Sequence, residues 1–234
     1  MRYSIFLFVF AMFSVGIFAT QASAQMTADA YFNRAVDRQK DGDPDGAIED
    51  YTKALELAPD DTDAYVNRAI VRKNKGDLDG AIKDLTAALR IDPDLASAYL
   101  NRGVVYKLKG NTDAAITDYT RAIGLASSST SAYYNRGTAR RDKGDLTGAE
   151  ADFSKVIELN PQHAKALANR GKIRLLLKDL DAAVADLTAA IAIDAKFAEA
   201  YKNRAAAYRL LKKIPLAEAD EQKAAELEAK SKLL

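Results

Sequence analysis

Asn-Arg recurs along this chain at a fixed spacing. The pairs Asn33-Arg34, Asn67-Arg68, Asn101-Arg102, Asn135-Arg136, Asn169-Arg170 and Asn203-Arg204 stand 34 residues apart, and Ala or Gly follows every one. A strict period of this length admits few folds. One supersecondary unit, too small to bury its own apolar face, must stack on copies of itself, and recognition must use surfaces that the units repeat.

Framed from Ala28, the six units are 28–61, 62–95, 96–129, 130–163, 164–197 and 198–231, and 232–234 remain as a tail. Ala holds the third position of the frame (Ala30, Ala64, Ala98, Ala132, Ala166, Ala200) and the twentieth (Ala47, Ala81, Ala115, Ala149, Ala183, Ala217). Asp holds the twenty-third in every unit. Small and apolar residues recur at helical spacing before and after a turn, which predicts two helices per unit. The turn is Gly42-Asp43, Gly76-Asp77, Gly110-Asn111 or Gly144-Asp145. Gly suits the left-handed end of a first helix, and Asp or Asn caps the second. Lys178 and Lys212 replace the Gly in the last two units, where a strained or altered turn is expected. Second helices are expected to end before Pro59, Pro93 and Pro161, with Ser127 and Ala195 at that position in the third and fifth units.

A unit such as Ala64-Tyr65-Val66-Asn67-Arg68-Ala69, Lys75-Gly76-Asp77, Gly80-Ala81-Ile82-Lys83-Asp84-Leu85 and Ala88-Leu89-Arg90-Ile91-Asp92-Pro93 resembles a tetratricopeptide repeat. The aromatic, the turn Gly, the small Ala residues, the bulky apolar residue and the closing Pro appear in the family's order. The resemblance covers residues 28–231 and implies an all-α fold, a right-handed superhelical solenoid of antiparallel helix pairs. It also implies a protein-interaction role.

The segment before the repeats has another character. Arg2 is the only charge in residues 1–24, an apolar run extends from Ile5 to Phe18, and Ala22-Ser23-Ala24 offers a cleavage site before Gln25. Residues 1–24 are expected to be a cleavable signal peptide and the protein to be exported, periplasmic or extracellular. Retention as an anchor is the alternative, although the run is short of the ~20 residues that span a bilayer.

Charge narrows the partners. Arg2 is one of 34 basic residues, so its removal leaves 33 against 33 acidic ones. That balance asks for neither nucleic acid nor an anionic membrane as partner, and no membrane span is expected after cleavage. The absence of Cys excludes disulfides and thiolate chemistry. His163 is the only histidine, and no Gly-rich phosphate loop occurs, so no catalytic residue, metal site or cofactor is expected.

Two columns of residues then divide. If each unit folds back about its turn, Arg34 faces Asp50, and likewise Arg68 faces Asp84, Arg102 faces Asp118, Arg136 faces Asp152, Arg170 faces Asp186 and Arg204 faces Asp220. These are expected to be structural ion pairs rather than ligand contacts. The Asn column lies on the helical face turned away from the second helix. The resemblance places first helices on the concave side, where Asn33, Asn67, Asn101, Asn135, Asn169 and Asn203 would form a ladder. Similar ladders are known in the family, notably in peptide-binding domains of a sugar-transferring enzyme. An Asn amide matches the C=O and N–H of an extended backbone, although it can equally bond its own neighbours or water.

Phe32, Val66, Leu100 and Tyr134 are expected to add apolar pockets, and Lys73, Lys107 and Arg141 a basic edge, which is solvated if it binds nothing. The family's clamp for C-terminal carboxylates requires Lys and Arg in particular units; here the sixth position is always Asn. The chain therefore reads as a non-catalytic scaffold of the cell envelope that holds an extended protein or peptide ligand. Self-assembly into a homo-oligomer through an uncapped first helix is the alternative, because Glu218 and Glu221 give only the last unit a polar outer stripe.

Overall fold

The turns fix the architecture. The computed structural model describes residues 26–231. The expected signal peptide, residues 1–24, and the tail, 232–234, lie outside the described residues. Twelve helices follow one another among the described residues, with no strand. The hairpins are α1 (Ala28–Lys40) with α2 (Pro44–Leu57), α3 (Thr62–Asn74) with α4 (Leu78–Ile91), and α5 (Ala96–Leu108) with α6 (Thr112–Leu125). They continue as α7 (Thr130–Asp142) with α8 (Leu146–Leu159), α9 (Ala164–Leu176) with α10 (Leu180–Ile193), and α11 (Ala198–Leu210) with α12 (Ile214–Ser231).

Each first helix ends in the same way. Gly42, Gly76, Gly110 and Gly144 adopt φ of +78° to +87°, and the next residue returns its N–H to a carbonyl five positions back, as in Asp77 to Arg72 at 2.9 Å. Lys178 and Lys212 hold the same conformation, with φ of 68° and 59°, and the same backbone bonds close around them. The turn is thus strained rather than altered in the last two hairpins. Asp43, Asp77, Asn111, Asp145 and Asp179 then cap the second helices, each accepting a backbone N–H three residues ahead. Second helices end at the same place whether Pro follows or not: α6 stops at Leu125 before Ala126-Ser127, as α2 stops at Leu57 before Ala58-Pro59.

Small residues set the spacing and bulky ones fill it. Ala47, Ala81, Ala115, Ala149, Ala183 and Ala217 are fully buried, and beside them Tyr51, Leu85, Tyr119, Phe153 and Leu187 are at most 2% exposed. Between the two helices of a hairpin the approach is close at Gly103, where a Cβ would come within 2.6 Å of the Tyr119 ring. In the last described hairpin Glu221 replaces the bulky residue and pairs with Arg209 at 2.6 Å, so α12 is polar where the other second helices are apolar.

The layers are unequal. Odd-numbered helices approach their counterparts in the next hairpin, as α3 does α5, α5 does α7 and α9 does α11, so they form the inner layer of the curve. No described helix is long and apolar enough to cross a membrane.

Candidate functional site

The recurrent Arg organises the layer behind the site. In all six hairpins its Nε and one terminal nitrogen clasp both oxygens of the Asp sixteen residues on, at 2.6–3.0 Å. These Asp residues are buried, at 0 to 6% exposure. The hydrogen bond from Arg34 holds the Asp50 carboxyl below its ordinary range, against the opposing effect of burial. Tyr31, Tyr65, Tyr99, Tyr133 and Tyr201 cover these guanidiniums, with ring centroids 5.3–5.7 Å away.

Two further partners complete the node. Arg38, Arg72, Arg140 and Arg174 bring a second cation to the Asp of the first, second, fourth and fifth hairpins. In the third and sixth, Tyr106 and Tyr208 stand there instead, 5.8 Å from Arg102 and Arg204. The remaining terminal nitrogen reaches into the preceding hairpin. Arg68, Arg102, Arg136, Arg170 and Arg204 donate to Thr52, Thr86, Thr120, Ser154 and Thr188 at 2.9–3.1 Å. Arg34 donates to the Met26 sulfur at 3.2 Å in place of a hydroxyl. Each guanidinium from Arg68 onward is therefore both a strut within its hairpin and a rivet to the one before. The sequence signal for the rivet was present, a hydroxyl two residues after each Asp from Asp50 to Asp186.

The Asn side chains lie on the inner helices, half-buried except for the exposed Asn33. Among the described residues, Asn33, Asn67, Asn135 and Asn203 make no side-chain hydrogen bond. Asn101 gives its N–H to the Ser97 carbonyl at 2.9 Å and keeps its oxygen free. Asn169 differs: it donates to the Lys165 carbonyl at 2.8 Å and to the Tyr134 hydroxyl at 3.3 Å, and its oxygen accepts from Arg141.

The neighbouring residues divide in the same manner. Phe32 packs edge-on to Tyr51, with centroids 5.6 Å apart, and lines a cavity of about 280 Å³ together with Asp29, Asn33, Asp61 and Asp63. Val66 and Leu100 pack half-buried against the cores of the second and third hairpins. Tyr134 is stacked on His163 at 5.0 Å, edge-on to Phe153 at 5.6 Å, and bonded to Asn169, so it is part of the wall rather than an open pocket. A second cavity of about 20 Å³, close to the size of one water, involves Asn169, Asn203, Ala168, Lys172, Phe197 and Glu199.

The basic edge is mostly neutralised from within. Lys107 and Arg141 both bond Asp142. Burial pushes the Asp142 carboxyl up, but those two cations outweigh it and leave it below its ordinary range. Among the described residues Lys73 alone of the three has no ion-pair partner. No group of acidic or histidine side chains among the described residues could hold a metal ion.

Helix hairpins of one design, stacked without a break and riveted through one recurrent guanidinium, define an α-helical repeat solenoid. Family models described as "TPR repeat" match residues 71–110, and those described as "Tetratricopeptide repeat" match 28–61, 50–83, 96–129 and 134–196. The chain belongs to the tetratricopeptide-repeat family.

No curated protein matches its sequence. Solved structures do match its fold. The MamA protein is 28% identical with a TM-score of 0.67, over 72% of this chain and 92% of that one. YrrB, described as a TPR protein with an unusual peptide-binding site, is 24% identical with a TM-score of 0.69, over 76% and 92%. Pseudomonas aeruginosa pilF is 17% identical with a TM-score of 0.73, over 87% and 97%.

Proposed function

We propose that the inner face holds an extended peptide segment of a partner protein through its asparagine column, and that the protein acts as a non-catalytic scaffold of the cell envelope. One observation carries this reading. Asn33, Asn67, Asn135 and Asn203 keep both their N–H and C=O groups uncommitted within the described residues, and Asn101 keeps its oxygen. A backbone laid along the column meets donors and acceptors at the repeat spacing, with a break at Asn169, whose hydrogen bonds are internal.

Magnitude shows what else is needed. At about 1 kcal/mol net per hydrogen bond, the open amides only match the lower end of the ~4–15 kcal/mol that association requires. Apolar anchors must supply the rest, and Phe32, in the cavity it lines beside Asn33, is a place for one. Export follows from reading residues 1–24 as a signal peptide. The test is affinity capture from envelope extract with the wild type and with Asn67→Ala/Asn135→Ala. The variant is expected to lose the captured partner, and identical bound sets overturn the ladder.

A second reading, self-association through the first hairpin, rests on Arg34. Its side chain is 40% exposed, whereas the other five lie between 11 and 17%. Light scattering tests it: a mass that rises with concentration supports the homo-oligomer, and a constant monomer mass removes it.

A further inference from the structure

Where one first helix begins beside the next, the fifth residue of the frame meets the thirty-fourth. In the first and fourth hairpins the fifth residue is aromatic and holds one orientation: Phe32 is edge-on to Tyr51 and Tyr134 to Phe153, both with centroids 5.6 Å apart. The thirty-fourth residue differs. His163 lies on the Tyr134 ring at 5.0 Å, with 29° between the planes. Its counterpart Asp61 is too short to cover a ring, and there the cavity of about 280 Å³ lies between α1 and α3. The fourth hairpin thus shows what suits the first: a flat polar group against an aromatic face. A volume below the roughly 300–1,000 Å³ that encloses a whole small-molecule ligand fits one side chain.

Charge selects the side chain. Asp29, Asp61 and Asp63 line the cavity, and among the described residues none of them has an ion-pair partner. All four cations of the first unit are committed, Arg34 and Arg38 to Asp50, Lys40 to Asp37 and Lys53 to Glu49. Lys73 has no ion-pair partner among the described residues, but it lies ten residues along α3 from Asp63, about 15 Å on a helix. The balanced charge of the chain conceals this end. Residues 28–61 hold ten acidic residues against four basic ones, whereas residues 62–234 hold 23 acidic against 29 basic. The frame's second position follows the same trend, from Asp29 and Asp63 through Ser97 and Ser131 to Lys165, and Glu199 beyond it is bonded to Lys172.

We propose that this cavity takes an arginine side chain of the bound segment, its guanidinium laid on Phe32 as His163 is laid on Tyr134 and facing Asp29, Asp61 and Asp63. This rests on the inner face holding an extended segment. The methylene stem supplies apolar contact while the head answers the carboxylates. A purely aliphatic anchor would desolvate those carboxylates and return nothing to them. Lysine would bring a point charge without the stack. The three carboxylates do not close on a point as a metal ion requires, whereas a guanidinium spreads five N–H donors over its plane.

The experiment titrates N-acetyl-arginine amide into residues 25–234, which carry all twelve helices and their cores, and follows the protein by NMR. Saturable shifts are expected at Asp29, Phe32, Asn33 and Asp63, with release by salt. The leucine analogue, and the arginine probe on Asp29→Asn/Asp63→Asn, are each expected to bind about tenfold more weakly. Asp61 is left in place because it caps α3 through the Ala64 N–H at 2.9 Å.

Asn67→Ala/Asn135→Ala is expected to keep the arginine site, so that loss of the ladder and loss of this site are separate results. Absence of saturable shifts at these residues, equal binding of the leucine analogue, or undiminished binding by Asp29→Asn/Asp63→Asn overturns the proposal. Tighter binding of calcium than of the arginine probe at the same residues overturns it in favour of a metal site. A mass that rises with concentration and that Asp29→Asn/Asp63→Asn abolishes overturns it in favour of a second copy.

Discussion

Thr52 and Arg68 belong to different hairpins and are joined by a hydrogen bond of 2.9 Å from the guanidinium to the hydroxyl. The opposite edge of the same guanidinium clasps Asp84 at 2.7 and 2.9 Å. The two arms should separate in their consequences. Asp84→Ala leaves a buried guanidinium without its partner and is expected to destabilise by about 3–5 kcal/mol. Thr52→Val removes the bond from Arg68 and the hydroxyl's own donation to the Ile48 carbonyl at a half-buried site and is expected to lose about 1–2 kcal/mol, with a shallower denaturant transition as the first hairpin uncouples. Urea unfolding followed by circular dichroism measures both, and equal losses would refute the division of roles.

The asparagine column should not respond uniformly. Asn169→Ala breaks three internal hydrogen bonds and is expected to lower stability by about 1–2 kcal/mol. Asn135→Ala breaks none and is expected to leave the melting temperature unchanged. Thermal melts of the two single variants decide this, and a stability loss in Asn135→Ala would show that the residue is structural.

Lys178 and Lys212 hold φ of 68° and 59°. A left-handed residue with a side chain costs about 1–2 kcal/mol, part of which glycine returns through its freer unfolded chain. Lys178→Gly and Lys212→Gly are each expected to stabilise by about 0.5–1 kcal/mol. Unaltered or reduced melting temperatures would contradict the strain.

Stability should fall at both ends of the pH scale for identifiable reasons. Burial pushes the Tyr51 hydroxyl up to about 12. The unfolded chain gives up that proton near 10. The contribution is fully present below the unfolded value and is lost as pH rises through the folded one. Tyr51→Phe is expected to flatten the decline between those values. At the acid end Asp50 behaves oppositely: held low by Arg34, it contributes above the unfolded carboxylate value, and the contribution is lost as pH falls through the lowered folded one. Melting temperature against pH for wild type, Tyr51→Phe and Asp50→Asn tests both signs.

The fold was legible because its determinants are local. Gly42, Gly76, Gly110 and Gly144 with the caps that follow them set four of the six hairpins at a constant period, and the period alone forces stacking. The turns at Lys178 and Lys212 show where residue type misleads, since packing on either side holds a left-handed backbone that a lysine does not favour. What could not be read was contact between hairpins. The bond from Arg141 to Asn169 joins residues of different units, and neither helical spacing nor distance from a turn reports it; the hydroxyl two residues after each Asp did signal the bond from Arg68 to Thr52, but not that it crosses between hairpins. The neutralisation of Lys107 by Asp142 was hidden for the same reason.

The rivet also gives the molecule a direction. From the second hairpin to the sixth, the guanidinium of each Asn-Arg pair reaches back to the hairpin before it and none of these reaches forward, with Met26 standing in at the start. A stack cut from its C-terminal end leaves only hydroxyls, which water can satisfy. A stack cut from its N-terminal end strips an arginine that is already committed to a buried carboxylate. The two ends are therefore unequal in shortening and in growth, and the order in which hairpins leave the chain's own synthesis, first to last, is the order in which each finds its anchor already made.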